Sequence, residues 1–302
     1  MSLIIYGLLN GCLYGLWSVS FSLIYRPTRV FHVVHAAVFT IAAYAMWVAA
    51  PRVGLLFAFI FALAFGSAVG VASEYVFYRP LRKWGTSPVL LFVASLAVYI
   101  VFENIIQLVW GAEPRTLTIP ALEQLDRLVT IFGAGVSLLE IAEDGLALLL
   151  WLGSLALLRW TLIGKAIRAI AVSPDMADLA GINVQMIRLI TFAIGSFLIS
   201  VAGLMALVKV GIEPAAGLPV WVIAVIATLV SGAGPVGSFV VGLAIGLTES
   251  FMLLWLSSKW QPIVPILILL VYLAGLVLRT AYINWTARRL AHRNVTHVGI
   301  HP

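Results

Sequence analysis

The chain has 302 residues, 63% of them hydrophobic and 10% charged, with a formal net charge of +6. Soluble domains are about 45–50% apolar and about 25% charged, so this composition excludes a water-soluble globule and implies a polytopic membrane protein, an all-α helix bundle. Its basic residues stand at the ends of apolar runs instead of clustering with exposed aromatics, which argues against nucleic acid as their partner, and a lone cysteine, Cys12, excludes an intrachain disulfide or a cysteine metal cage.

The opening MSLIIYG has no basic segment, and its apolar run continues to Tyr25. As a helix that run is about 36 Å long, enough for a retained span and too long for a cleaved signal. Nine crossings are predicted in chain order, at 2–25, 31–50, 53–78, 88–110, 145–163, 189–208, 219–231, 238–257 and 262–279, the seventh being the shortest. Basic residues collect after the first crossing (Arg26, Arg29), after the third (Arg79, Arg82, Lys83), around the centre (Arg159, Lys165, Arg168, Arg188) and after the last (Arg279, Arg288, Arg289, Arg293). By the positive-inside rule these loops are cytoplasmic, which puts the N-terminus outside and the C-terminus inside. A single permeation-type domain then covers 1–285, with a cytoplasmic tail at 286–302. The longest outer loop, 111–144, carries mainly acidic charges and the turn Gly133-Ala-Gly135, and a small folded cap is expected there.

Between two apolar runs lies a polar island, Gly164 to Asn183 (GKAIRAIAVSPDMADLAGIN). Lys165 and Arg168 form a basic first turn. Ser173-Pro174-Asp175 stops one helix and restarts another, since a serine oxygen can accept from free N–H groups and proline suits the first helical position; Gly181 ends the second. Two short helices with a bend are therefore displayed at the membrane surface, the shape of a docking element.

Several residues resemble chemical sites. Gly232-Ala-Gly234-Pro-Val-Gly237 matches the dinucleotide fingerprint letter for letter, but that fingerprint works only where a strand turns into a helix in a βαβ unit. Here it is read as a tight turn between two membrane helices, with Gly242 and Gly246 continuing a small-residue spacing from Ser238 for close packing. His32 and His35 share one face of the second crossing, where two imidazoles are too few for a metal and suit a structural or path-lining role. Glu103, Asn104 and Gln107 form a polar stripe on the fourth crossing, fitting interhelical hydrogen bonds or a transport path. Glu74 precedes Arg79 by five residues and is expected to make a local ion pair or a helix-end contact there, while Glu249 is a further intramembrane acid. Asn10 sits with Gly7, Gly11 and Gly15 on a face of the first crossing that can approach another helix closely. His292, His297 and His301 are assigned to a solvated tail, and the sequons at Asn284 and Asn294 are chance matches in a cytoplasmic segment.

Four segments in this order resemble the permease subunits of branched-chain amino-acid-type ABC importers. They are GLLNGCLYGLWSVSFSLIY with the following FHVVHAAVFTIAAY, EYVFYRPLR from Glu74 to Arg82, the island itself, and SGAGPVGSFVVGLAIGLTES. The second crossing departs from the family pattern: His32 stands where the family usually has Asn and Ala36 where it has Gly, with His35 retained. The resemblance implies a transport subunit of the bacterial-type inner membrane that is not itself an enzyme. It further implies a homologous second permease, two cytoplasmic ATPases and an extracytoplasmic solute-binding protein as partners. No cofactor is then bound by this chain, and ATP is used by the partner subunits. Gly164, Lys165, Arg168, Asp175, Asp178 and Gly181 would couple to the ATPases, and the second crossing with Asn10, Glu103 and Asn104 would supply path residues for a branched-chain amino acid or a similar small polar solute. Two other classes fit parts of the chain. An ion-coupled secondary transporter could use Glu103 or Glu249 but has no need of the island. A membrane-embedded enzyme built on His32 and His35 lacks any further ligand or nucleophile–base pair.

Overall fold

The computed structural model describes residues 2–117, 127–131, 134–232 and 234–279. It is 82% helical, and seven of its helices are long and apolar enough to cross a membrane. These are α1 (Ser2–Thr28), α2 (Val34–Val53), α3 (Leu55–Lys83), α4 (Pro88–Trp110), α5 (Leu138–Trp160), α8 (Val184–Lys209) and α10 (Pro235–Met252). Two short helices, α6 (Leu162–Val172) and α7 (Pro174–Leu179), lie between α5 and α8. Two apolar helices are shorter, α9 (Gly217–Val230) and α11 (Ile263–Arg279). The tail beyond 279 lies outside the described residues, as do Glu123 and Asp126 of the outer loop.

The core forms where α1, α2 and α8 meet, around Leu16, Val19, Phe39, Tyr44 and Ile199. Large apolar side chains on the outer faces of α3, α4 and α11 are exposed, as a lipid-facing surface requires. Small residues set the closest approach. Gly7, Gly11 and Gly15 of α1 lie against Leu247, Leu243 and Phe239 of α10, and Gly242 and Gly246 return the contact onto Gly15 and Gly11. A Cβ on Gly242 would stand 2.6 Å from the Gly15 nitrogen, so the two backbones touch and no side chain fits between them. The expected helix-packing spacing at Gly242 and Gly246 thus has its partner in the opening helix.

The fingerprint-like segment is a turn between α9 and α10. Gly232 has φ +74°, Gly234 precedes the helix with Pro235 at its first position, and a Cβ on Gly237 would meet Ser231 at 2.9 Å.

Several boundaries differ from expectation, three of them with a consequence for the fold. The fifth crossing starts at Leu138 instead of 145, because Ser137 and Glu140 form a reciprocal capping box in which each side chain accepts from the other's end of the first turn. Glu140, Glu143 and Asp144 are therefore helical and not part of the outer loop. The helix that begins at Pro235 ends at Met252, five residues short of the expected 257, and continues as turns. The third helix extends to Lys83 through a π-turn at Glu74–Tyr78. Ahead of α5, Leu128–Ile131 (β1) and Ala134–Ser137 (β2) pair antiparallel with Leu128 opposite Ser137. Tyr6 Oη donates to the Gly135 carbonyl at 2.8 Å, and Arg115 and Ile212 exchange backbone hydrogen bonds at 2.8 Å, so the hairpin and the loop are fastened to the helix ends.

Candidate functional site

The island is built from caps. Thr161 Oγ1 donates to the Leu157 carbonyl at 2.6 Å and accepts from the Gly164 N–H at 2.9 Å, folding α6 back on the end of α5. A Cβ on Gly164 would lie 2.5 Å from Leu158 Cα, so only glycine allows this return. Ile167 and Ile170 face inward, Lys165 is exposed and Arg168 is half-buried. Ser173 Oγ accepts from the Met176 N–H at 3.3 Å, starting α7 where Pro174 has no N–H to satisfy. The helix ends at Leu179, and Gly181 takes φ +82°, a left-handed conformation that costs a branched residue most. Asn183 Oδ1 accepts from the Met186 N–H at 2.9 Å and begins α8.

Asp175 and Asp178 are exposed and, with Pro174, Gly181 and Arg188, line an open cavity of about 600 Å³. Beside these charges Val172, Met176 and Leu179 are 87%, 68% and 84% exposed, an apolar strip on an otherwise polar segment. Single exposed apolar residues are ordinary, whereas here three such residues fall within 172–179, beside two exposed acids.

The path candidates do not converge on one site. Asn10 is half-buried on α1, Glu103 is half-buried on α4, and Asn104 is exposed and donates to the Ile100 carbonyl of its own helix at 2.7 Å. Helices α1 and α4 share no substantial contact. His32 and His35, by contrast, are fully buried and adjacent, with ring centroids 5.6 Å apart. No group of three His, Cys, Asp or Glu side chains is placed to hold a metal among the described residues.

Each histidine has a partner at one ring nitrogen, while His32 Nε2 and His35 Nδ1 are buried without one among the described residues. Ser95 Oγ accepts from the N–H groups of Val33 at 2.7 Å and Val34 at 3.3 Å, which fills its lone pairs. Its proton then goes to Tyr78 Oη at 2.5 Å, and the tyrosine proton to His32 Nδ1 at 2.8 Å, leaving the His32 proton on Nε2. Trp221 Nε1 of α9 donates to the His32 carbonyl at 2.9 Å. Ser20 donates to the Trp17 carbonyl at 2.6 Å and so accepts from His35 Nε2 at 2.9 Å. These tautomers follow from the network. The result is a polar knot that fastens the α1–α2 connection to α3, α4 and α9.

Glu74, at 2% exposure, pairs with Arg82 and not with Arg79 as its spacing suggested. The π-turn causes the change: one added residue rotates the following helix, bringing the eighth residue on to the carboxylate and turning Arg79 over the Tyr75 ring at 5.5 Å. Glu249 is also buried and accepts from Tyr14 Oη at 2.7 Å across the α1–α10 contact.

Residues 3–273 match the family described as branched-chain amino acid transport system / permease component. The chain belongs to this family. It is thus a multi-pass transport permease of the bacterial inner-membrane type, a subunit and not an enzyme. It is similar to the high-affinity branched-chain amino acid transport system permease protein LivH of Escherichia coli K12, 27% identical over 290 residues that cover 90% of this chain and 93% of that one. A relative of the same description, BraD of Pseudomonas aeruginosa, is 26% identical over 81% of this chain and 83% of its own. The xylose transport system permease protein XylH of Haemophilus influenzae is 38% identical, but over only 42% of this chain and 37% of that one. Among solved structures, PsaBC from Streptococcus pneumoniae in complex with Fab has a chain sharing the fold with a TM-score of 0.50 at 11% identity, covering 90% of this chain and 91% of that one.

In this permease the polar side chains around the histidines that have no signal in the sequence are Tyr78, Ser95, Ser20 and Trp221. A tyrosine or serine inside an apolar run has no local signal, and these partners lie 15 to 189 residues from the histidines they fix. Replacing Tyr78 with Phe keeps the ring and removes the hydroxyl on which His32 and Ser95 both depend. The expected cost is about 1–3 kcal/mol, read as a lower thermal midpoint in detergent, because two buried polar atoms lose their partner at once. A midpoint equal to wild type would mean that the hydroxyl carries no structural role.

Proposed function

We propose that this chain is the membrane-spanning subunit of an ATP-driven importer that receives a branched-chain amino acid or a similar small polar solute from an extracytoplasmic binding protein. It pairs with a second permease and is driven by two cytoplasmic ATPases, so ATP acts only through partners and no cofactor is held by this chain. The observation that carries the reading is the island: Val172, Met176 and Leu179 stand exposed beside Asp175 and Asp178, on two capped helices that follow α5 after Thr161 and lead into α8 through residues 180–183. A rigid element of that kind can pass a push from an ATPase to both crossings. The names of the relatives LivH and BraD support the amino-acid class, and XylH shows that a permease matching part of this chain is named for a sugar.

Nine crossings, with the N-terminus outside and the C-terminus inside, fit the basic loops if α9 and α11 both span. At 14 residues α9 covers about 21 Å, so it needs its flanking turns to reach across. A reporter fused after Arg293 is expected in the cytoplasm, and one inserted near Glu123 outside. Finding both on one side would overturn the arrangement.

The deciding experiment is uptake into vesicles carrying the reconstituted complex. Transport is expected to require ATP and the binding protein and to continue when the proton gradient is collapsed at constant ATP, in wild type and in Glu103→Gln alike. Uptake that disappears with the gradient and ignores ATP would replace this reading with an ion-coupled carrier.

A further inference from the structure

Arg188, in the first turns of α8, stands within electrostatic reach of two acids, Glu74 of α3 and Asp175 of α7. The two acids differ. Asp175 is exposed on the island, whereas Glu74 is 2% exposed and belongs to the π-turn. Toward Glu74 one ion pair is made and a second is left open. Glu74 Oε1 pairs with Arg82, while among the described residues its Oε2 is buried without a donor and Arg188 Nε is buried without an acceptor. A carboxylate can accept from two donors and a guanidinium can donate along two edges, so the open atoms are complementary. An unmet buried donor and an unmet buried acceptor are each costly, and one contact between them removes both costs.

Toward Asp175 there is room for movement. Asp175 and Arg188 line the same open cavity of about 600 Å³, whose walls include Asp178 of α7 and Val184 and Gln185 of α8. The two walls are joined through Gly181, at φ +82°, and no heavy atom stands within 4 Å of where a Cβ would be there. On its other face the start of α8 packs against the π-turn, whose last residue is Tyr78, the hydrogen-bond donor to His32. Island, Arg188, π-turn and histidine knot are therefore contiguous.

We propose that Arg188 is the positioning residue that carries movement of the island to α3. When α7 closes on α8, Asp175 takes one edge of the Arg188 guanidinium and Glu74 Oε2 takes the Nε–H on the other, so that one side chain bridges the island and the π-turn. The π-turn is suited to receive the pull, because a change of its hydrogen-bond register rotates the end of α3, and Tyr78 passes that rotation to the knot. Arg79, a third guanidinium within reach of Glu74, lies over the Tyr75 ring and comes from the same helix, so it makes no link to the island. The inference rests on the island being the contact for the ATPases, and the two are read separately.

The test is hydrogen–deuterium exchange of the permease in complex with its ATPases, with and without a non-hydrolysable ATP analogue. In wild type the nucleotide is expected to slow exchange in peptides over 174–188 and, by about tenfold, over 74–83, the factor that one charge-assisted hydrogen bond contributes. Arg188→Gln should keep the first response and lose the second. Removing the acceptor instead, as Glu74→Gln with Arg82→Gln so that no buried charge is stranded, should give the same split. Arg79→Gln should keep both responses. Survival of the 74–83 response in Arg188→Gln or in the paired variant, its loss in Arg79→Gln, or its absence from wild type while 174–188 responds would overturn the link. Loss of both responses in Arg188→Gln would make that residue a structural part of the island and overturn the link as well. Absence of the 174–188 response from wild type would overturn the island itself as the contact.

Discussion

Gly246→Val is expected to prevent stable folding of the permease while Gly153→Ala leaves it intact. A Cβ at 246 would stand 2.5 Å from Gly11 Cα, backbone against backbone, where no rotamer change can relieve the clash. Overpacking a core ordinarily costs about 1–3 kcal/mol, and a contact with main chain belongs at or above the top of that range. The two helices would have to separate, and with them the Tyr14–Glu249 hydrogen bond at 2.7 Å and the return contact of Gly242 on Gly15. Gly153 on α5 has nothing within 4 Å of the added atom. There the substitution should be neutral or stabilise by up to about 1 kcal/mol, since alanine is the better helix former. The measurement is the thermal midpoint and yield of each variant in detergent; a normal midpoint for Gly246→Val would show that α1 and α10 do not pack as described.

The second large effect is expected on the island. Val172→Glu with Leu179→Glu should leave insertion and thermal midpoint unchanged, because both side chains are more than four-fifths exposed and neither lies in a crossing. Association with the ATPases should nevertheless fall by at least about a hundredfold, since burying two such side chains contributes about 3 kcal/mol or more and a charge forfeits it. Arg168→Glu with Asp175→Lys tests the rim separately and should do less, as rim charges act mainly on encounter rates. Co-purification of the ATPases and substrate-stimulated ATP hydrolysis report both. Full association in all four-charge combinations of these positions would make the island a solvated segment and remove the support for coupling.

Features carried by neighbouring residues were legible in the sequence. Ser173-Pro174 and Gly181 announce the break and the end of the island helix, since capping and left-handed backbone are local requirements. The spacing of Gly242 and Gly246 announced a close contact, and Gly7, Gly11 and Gly15 another; that they meet each other could not be read, because pairing across more than two hundred residues leaves no mark in either segment. Ser137 and Glu140 carry a capping box in plain letters, yet the acids around them have the composition of a loop, so hydropathy starts the fifth helix seven residues after Leu138. The histidine knot was illegible for the same reason as the glycine pairing: His32 is fixed by Tyr78, forty-six residues on. The π-turn was hidden in a different way, since a shift of hydrogen-bond register changes no residue type.

That turn sets a rule for editing this helix. An α-helix advances about 100° per residue, so length along the axis and direction around it are normally locked together. Glu74–Tyr78 unlocks them once: the stretch lets everything after it point elsewhere without moving the helix sideways. Deleting one residue there would restore regular i to i+4 bonding and yield a locally better helix. It would also swing Arg82 off Glu74 and the exposed Trp84 about a quarter-turn around the axis. Alignment of related chains through this segment therefore has to count residues and not turns, and an insertion or deletion within it changes the meaning of every side chain that follows up to Lys83, even where the letters are unchanged.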